Sequence, residues 1–64
     1  MSVHIAVKTA SGVEEFTVAR VEDHELSVYD DCVLRLELAD PQEVRLWAPG
    51  EWRSTYSRII NVKH

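Results

Sequence analysis

The sequence predicts an all-β domain of five to six antiparallel strands, a small meander that curls into a partly closed barrel or a sandwich. Three observations carry this expectation. Apolar and polar residues alternate with period two in short runs, turn signals recur every eight to ten residues, and helical periodicity is weak outside one C-terminal segment.

Val3, Ile5 and Val7 alternate with His4, Ala6 and Lys8, which reads as a first strand. Ser11-Gly12 is a turn, and Phe16 and Val18 alternate with Glu15, Thr17 and Ala19 in a second strand from about Val13 to Val21. The short link makes these two a hairpin. The polar run Glu22-Asp23-His24 interrupts, and Leu26 and Val28 mark a short third strand ending at Tyr29. Asp30-Asp31 forms the next turn, because aspartate bonds nearby backbone there. Cys32, Leu34, Leu36 and Leu38 then share one face of the clearest strand, opposite Val33, Arg35 and Glu37. Ala39-Asp40-Pro41-Gln42 is a turn with proline in a favoured place, and Val44 and Leu46 alternate with Glu43 and Arg45 in a fifth strand. A sixth strand begins at Trp52. Its rival is a short C-terminal helix after Trp52, since Trp52, Tyr56, Ile59, Ile60 and Lys63 also lie at helical spacing with Ser54 as a cap. Thr55, Tyr56, Ile59, Ile60 and Val62 favour the strand.

Ala48-Pro49-Gly50-Glu51 fits a type II turn, with proline and glycine at its two central positions. Two-residue hairpins prefer other turns, so a longer loop is expected here. A register that sets Leu46 opposite Trp52 puts Val44, Leu46, Trp52, Ser54 and Tyr56 on one inward face. Trp47 is then left near the loop with a partly open ring. A bulge is the other way to reconcile the two tryptophans.

Sixty-four residues make a single domain, 1–64, and a chain of this size buries only ~60% of the surface its unfolded form exposes. Such domains often gain stability by self-association, so a homodimer is one expectation. The 45% hydrophobic content excludes a disordered tail. Cys32 is the single cysteine, which excludes an internal disulfide and fits a reducing compartment. The start of the chain shows neither a signal peptide nor a bilayer-spanning stretch, so a cytoplasmic protein without membrane contact is expected. The net charge of -4 is unevenly placed. Residues 1–43 hold 3 basic and 10 acidic side chains, net -7, whereas residues 44–64 hold 4 basic and 1 acidic, net +3. Such a dipole either cancels between adjacent strands or orients a partner during encounter.

Metal and catalytic chemistry find little support. His4, His24 and His64 have no ligand spacing among them, and one cysteine does not make a zinc knuckle. Cys32 reads as a small buried hydrophobe at the head of an apolar face, and pairing it with His24 needs a geometry the sequence does not announce. Asp30 and Asp31 are turn residues, and two glycines cannot build a phosphate loop. The expectation is therefore a protein that is not an enzyme, with no cofactor and no metal. Trp47, Arg45, Arg53, Tyr56 and Arg58 are the candidate partner-binding residues, because protein interfaces are enriched in tryptophan, tyrosine and arginine. Free sheet edges can also add a partner's strand. The same aromatic and basic groups suit base stacking in a single-stranded nucleic-acid binder, but the ten acids ahead of them disfavour a phosphate-binding face. A structural homo-oligomer subunit is the third alternative.

Leu26, Val28, Cys32-Val33-Leu34-Arg35-Leu36, Val44, Trp47 and Ala48-Pro49-Gly50-Glu51-Trp52-Arg53-Ser54 form a pattern. It resembles short uncharacterised proteins of actinobacteria and their bacteriophages. The resemblance covers about half the chain, and the APGEW element is its particular part. The pattern's usual Asp-Gly turn is Asp31-Cys32 here. What the resemblance implies is a small phage or bacterial accessory protein, and a protein partner in the host follows as the functional expectation.

Overall fold

The computed structural model describes residues 2–39 and 42–63. The expected Asp40-Pro41 turn and the terminal His64 lie outside them. Seven strands are present among the described residues, in two sheets: β1 (Val3–Thr9), β2 (Gly12–Val18), β3 (His24–Tyr29), β4 (Leu34–Ala39), β5 (Gln42–Trp47), β6 (Trp52–Tyr56) and β7 (Asn61–Lys63). The first sheet has the order β2-β1-β6 and the second β5-β4-β3-β7. The β-rich class is as expected, but the chain is neither a simple meander nor a closed barrel. It changes sheet after β2, after β5 and after β6, and β7 runs parallel to β3 where only antiparallel pairs were expected. Among the described residues no α-helix follows Trp52; that segment is strand, then an irregular stretch, then strand.

Ile5 and Val7 from β1 meet Leu26, Leu34, Leu36 and Trp47 from β3, β4 and β5 in one buried cluster. Phe16, Val18, Val28, Leu38 and Trp52 pack around it. The period-two alternation of β1 and β4 is thus the core itself, a layer between two sheets. The first hairpin pairs Val3 with Val18 and Ile5 with Phe16, so Glu14, opposite Val7, shares the inner face. The second strand ends at Val18 rather than Val21, because Val21–Asp23 winds into a single 3-10 turn with Arg20 paired to Glu22 and Asp23.

Two expectations about faces are corrected. Cys32 does not head the apolar face: it is exposed and sits in the β3–β4 turn with φ 66°, and β4 starts at Leu34. The Cys32 N–H donates to the Tyr29 carbonyl at 2.9 Å and the Tyr29 N–H to the Val33 carbonyl at 3.0 Å. This is a three-residue loop with a left-handed residue in the bulge position, where glycine is usual.

The second correction concerns Pro49-Gly50. The type II turn forms, with the Glu51 N–H 2.9 Å from the Ala48 carbonyl and Gly50 at φ 88°. It joins two sheets instead of closing a hairpin: β5 pairs with β4, and β6 with β1. Register against β4 then decides the faces. Trp47 lies opposite buried Leu34 and Arg45 opposite buried Leu36, which sends Val44 and Leu46 outward. Trp47 is 7% exposed and Leu46 63%, the reverse of the expected inward Leu46 and open Trp47. One indole buries ~150–250 Å², which favours the register that takes Trp47 inside.

Candidate functional site

The five candidate residues separate into two groups on opposite sides of the molecule. Arg45 and Trp47 lie on β5, an edge of the second sheet, and face inward. Glu14 of β2 joins them across the gap between sheets. Its Oε1 accepts from Arg45 Nη2 at 2.8 Å and its Oε2 accepts from Trp47 Nε1 at 3.2 Å. Phe16 stands edge-on to Trp47, with ring centroids 6.1 Å apart and planes at 77°. The Arg45 guanidinium lies 5.4 Å from the Phe16 centroid and 5.9 Å from that of Trp47. These contacts close the β2–β5 side of the sandwich, so both side chains are committed within the chain. Glu14 carried no positional signal in the sequence beyond sharing parity with Phe16.

Arg53, Tyr56 and Arg58 belong to the opposite side. β6 lies over β3: Trp52 Nε1 donates to the Cys32 carbonyl at 2.8 Å, and His24 Nε2 meets Ser57 Oγ at 2.7 Å. Between these anchors β6 carries a bulge. Lys8 faces Ser54 but Thr9 faces Trp52, which leaves Arg53 as the extra residue. The bulge brings Trp52 and Thr55 both toward the interior. Thr55 Oγ1 donates to the Ala6 carbonyl at 2.9 Å. Tyr56 is thereby turned out and is 62% exposed, contrary to the inward face expected for it. Arg53 and Arg58 are exposed, and among the described residues neither has an ion-pair partner. Ile59, Ile60 and Val62, whose residue types favour strand over helix, are also exposed. A segment of seven residues, 56–62, thus presents four large apolar side chains with basic neighbours, including Lys63.

His24 and Ser57 were not paired in the sequence reading, since 33 positions separate them. Ser57 Oγ also accepts the Ile59 N–H at 3.4 Å, so its own proton is free to go to the ring. A serine on an imidazole nitrogen is the beginning of a nucleophile–base pair, but a base in that role is oriented through its other nitrogen. His24 Nδ1 is buried and has no hydrogen-bond partner among the described residues. The contact fastens the chain leaving β6 onto the start of β3. Beside it an open groove of about 340 Å³ is lined by Glu22, Asp23, His24, Glu25, Glu37 and Leu38, among others. Arg20 and Arg35 already engage Glu22, Asp23 and Glu37 at 3.5–3.8 Å. No group of three or more potential ligands could hold a metal ion among the described residues. His4 pairs with Glu15 at 3.4 Å on the outer face of the first sheet. Among the described residues no helix is long and apolar enough to cross a membrane. Compared with protein-family models, curated proteins and solved structures, the chain matches none.

Proposed function

We propose that this protein is a small non-enzymatic interaction module that takes a protein partner on the β6–β7 side. One observation carries the reading: Tyr56, Ile59, Ile60 and Val62 stay 41–63% exposed while Arg53 and Arg58 beside them have no ion pairs among the described residues. Clustered exposed apolar groups rimmed by charge are typical of association surfaces. The partner surface that complements this one is apolar with an acidic rim. Trp47 and Arg45 are held by Glu14 on the opposite side of the molecule and are not part of the site. A phage or bacterial accessory protein that binds and modulates a host protein fits this reading, and the exposed thiol of Cys32 suits a reducing cytoplasm.

The test is affinity capture from the source cell with wild type, Tyr56→Ala and Ile59→Asp, read by mass spectrometry. The expected result is one protein retained by wild type and lost, at least tenfold, by both variants. Their thermal transitions should stay within about 0.5 kcal/mol of wild type, because both sites are exposed. Equal retention by all three chains would overturn the proposal. Exposed Tyr56 between two exposed arginines also favours the single-stranded nucleic-acid reading, which demands oligonucleotide binding that falls steeply with salt. No binding at low salt removes it.

A further inference from the structure

We infer that the free edge of β5 pairs antiparallel with β5 of a second copy of this chain, making a two-fold dimer with one continuous eight-stranded sheet. The edge is unusually open for its length. β5 runs for six residues, Gln42–Trp47, and its ladder with β4 is continuous from Ala39↔Gln42 to Leu34↔Trp47, with no register shift. Among the described residues it has β4 on one side and no strand on the other. Proteins that keep such an edge single place proline, charged side chains or a bulge in it; β5 has no proline, lysine or bulge, and its only charges are Glu43 and Arg45, of opposite sign. The other edges differ. β7 is three residues long, β6 carries the bulge at Arg53, and β2 opens on Gly12.

The occupant follows from the sequence of the edge. Glu43-Val44-Arg45 reads as its own complement when one strand is turned against another. With the two-fold axis at Val44, Glu43 faces the second copy's Arg45, and Arg45 faces the second copy's Glu43. Val44 meets its own copy on the outer face, where it is 43% exposed. Moving the axis to Arg45 would set two guanidinium groups directly opposite each other, which is unfavourable. An inward-pointing charge can block an edge, but Arg45 is already held 2.8 Å from Glu14 and 3.3 Å from its own Glu43. Its five-donor fork has room for one more carboxylate without swinging outward. The interface is one strand pair wide, so the dimer is weak and concentration-dependent.

The test is sedimentation velocity from micromolar to millimolar chain, with amide exchange of β5 followed over the same range. Wild type should pass from one chain to two, and the β5 amides should slow as it does. Val44→Lys places two ammonium groups face to face, and it should raise the dissociation constant at least tenfold. Val44 is outside the core, and an unchanged thermal transition at low concentration confirms that the variant folds. Tyr56→Ala lies on the opposite edge and should dimerise like wild type. A single chain at every concentration, or Val44→Lys dimers as tight as wild type, would overturn the inference. So would loss of the dimer in Tyr56→Ala alone, which would assign self-association to the β6–β7 side.

Discussion

Cys32 holds a backbone angle, φ 66°, that glycine adopts without steric cost. A non-glycine residue there is strained by roughly 1–2 kcal/mol, and glycine returns about 0.5–1 kcal/mol of that in unfolded-chain entropy. Cys32→Gly is therefore expected to stabilise the protein by about 0.5–1 kcal/mol, raising Tm by ~2–8 °C in a domain of this size. The bond from Trp52 Nε1 goes to the backbone carbonyl and survives the change. Cys32→Ala keeps the strain and separates this effect from loss of the thiol; an equal gain in both variants would contradict it. Asp30-Asp31 was legible as a turn, because the spacing of the hydrophobic runs requires one there. The reversal of Cys32 from core to turn was not legible, since parity alone extends the apolar face of Leu34 and Leu36 back by one more residue. Glu14 shows the same limit. A carboxylate on a strand's inner face gains a role only when Arg45 and Trp47, 31 and 33 positions away, arrive beside it.

At the level of strands, what was legible depended on how many neighbours each strand needs to fix its faces. β1 and β4 carry unbroken alternation and sit inside their sheets, and their buried residues are those the alternation named. β5 and β6 are edges, and alternation in an edge strand is satisfied by either face until the neighbour is known. The Pro49-Gly50 turn implies that β5 pairs with β6, which is the wrong neighbour, and that pairing inverts Trp47 and Leu46. A bulge stands among the sequence alternatives, but nothing in the sequence places it at Arg53, where it explains how Trp52 and Thr55 both face inward. Edge and interior should also differ in opening energy. Amide exchange is expected to be slowest in β1, β3 and β4, each flanked by strands on both sides, and fastest in β7, which has three residues and one neighbour. Protection of β7 equal to that of β4 in a dilute sample would mean that the C-terminal segment is fastened by more than the β3 ladder.

For the whole molecule, the decisive fact is that both sheets spend their apolar faces on one small core. Ile5 and Val7 have no other layer to pack against, and neither do Leu26, Leu34 and Leu36, all of them fully buried. Neither sheet is expected to persist when the other is lost, since the apolar face of each, three-stranded or four-stranded, is buried only against the other. A 64-residue chain at ~0.05–0.15 kcal/mol per residue has a total stability of about 3–10 kcal/mol. Leu36→Ala costs ~2–5 kcal/mol, comparable with that whole margin. The variant should therefore lose both sheets together and show little folded protein at ordinary temperature. In wild type, the two tryptophans make the cooperativity measurable: Trp47 reports the four-stranded sheet and Trp52 the three-stranded one. Fluorescence of Trp47→Phe and of Trp52→Phe, each retaining one reporter, should give an unfolding midpoint that coincides with backbone circular dichroism of the same chain. Coincidence in both chains is the signature of one core shared between the sheets. A reporter that moves well before the backbone signal in either chain would mean that its sheet opens independently, and the sandwich would then be two weakly coupled halves.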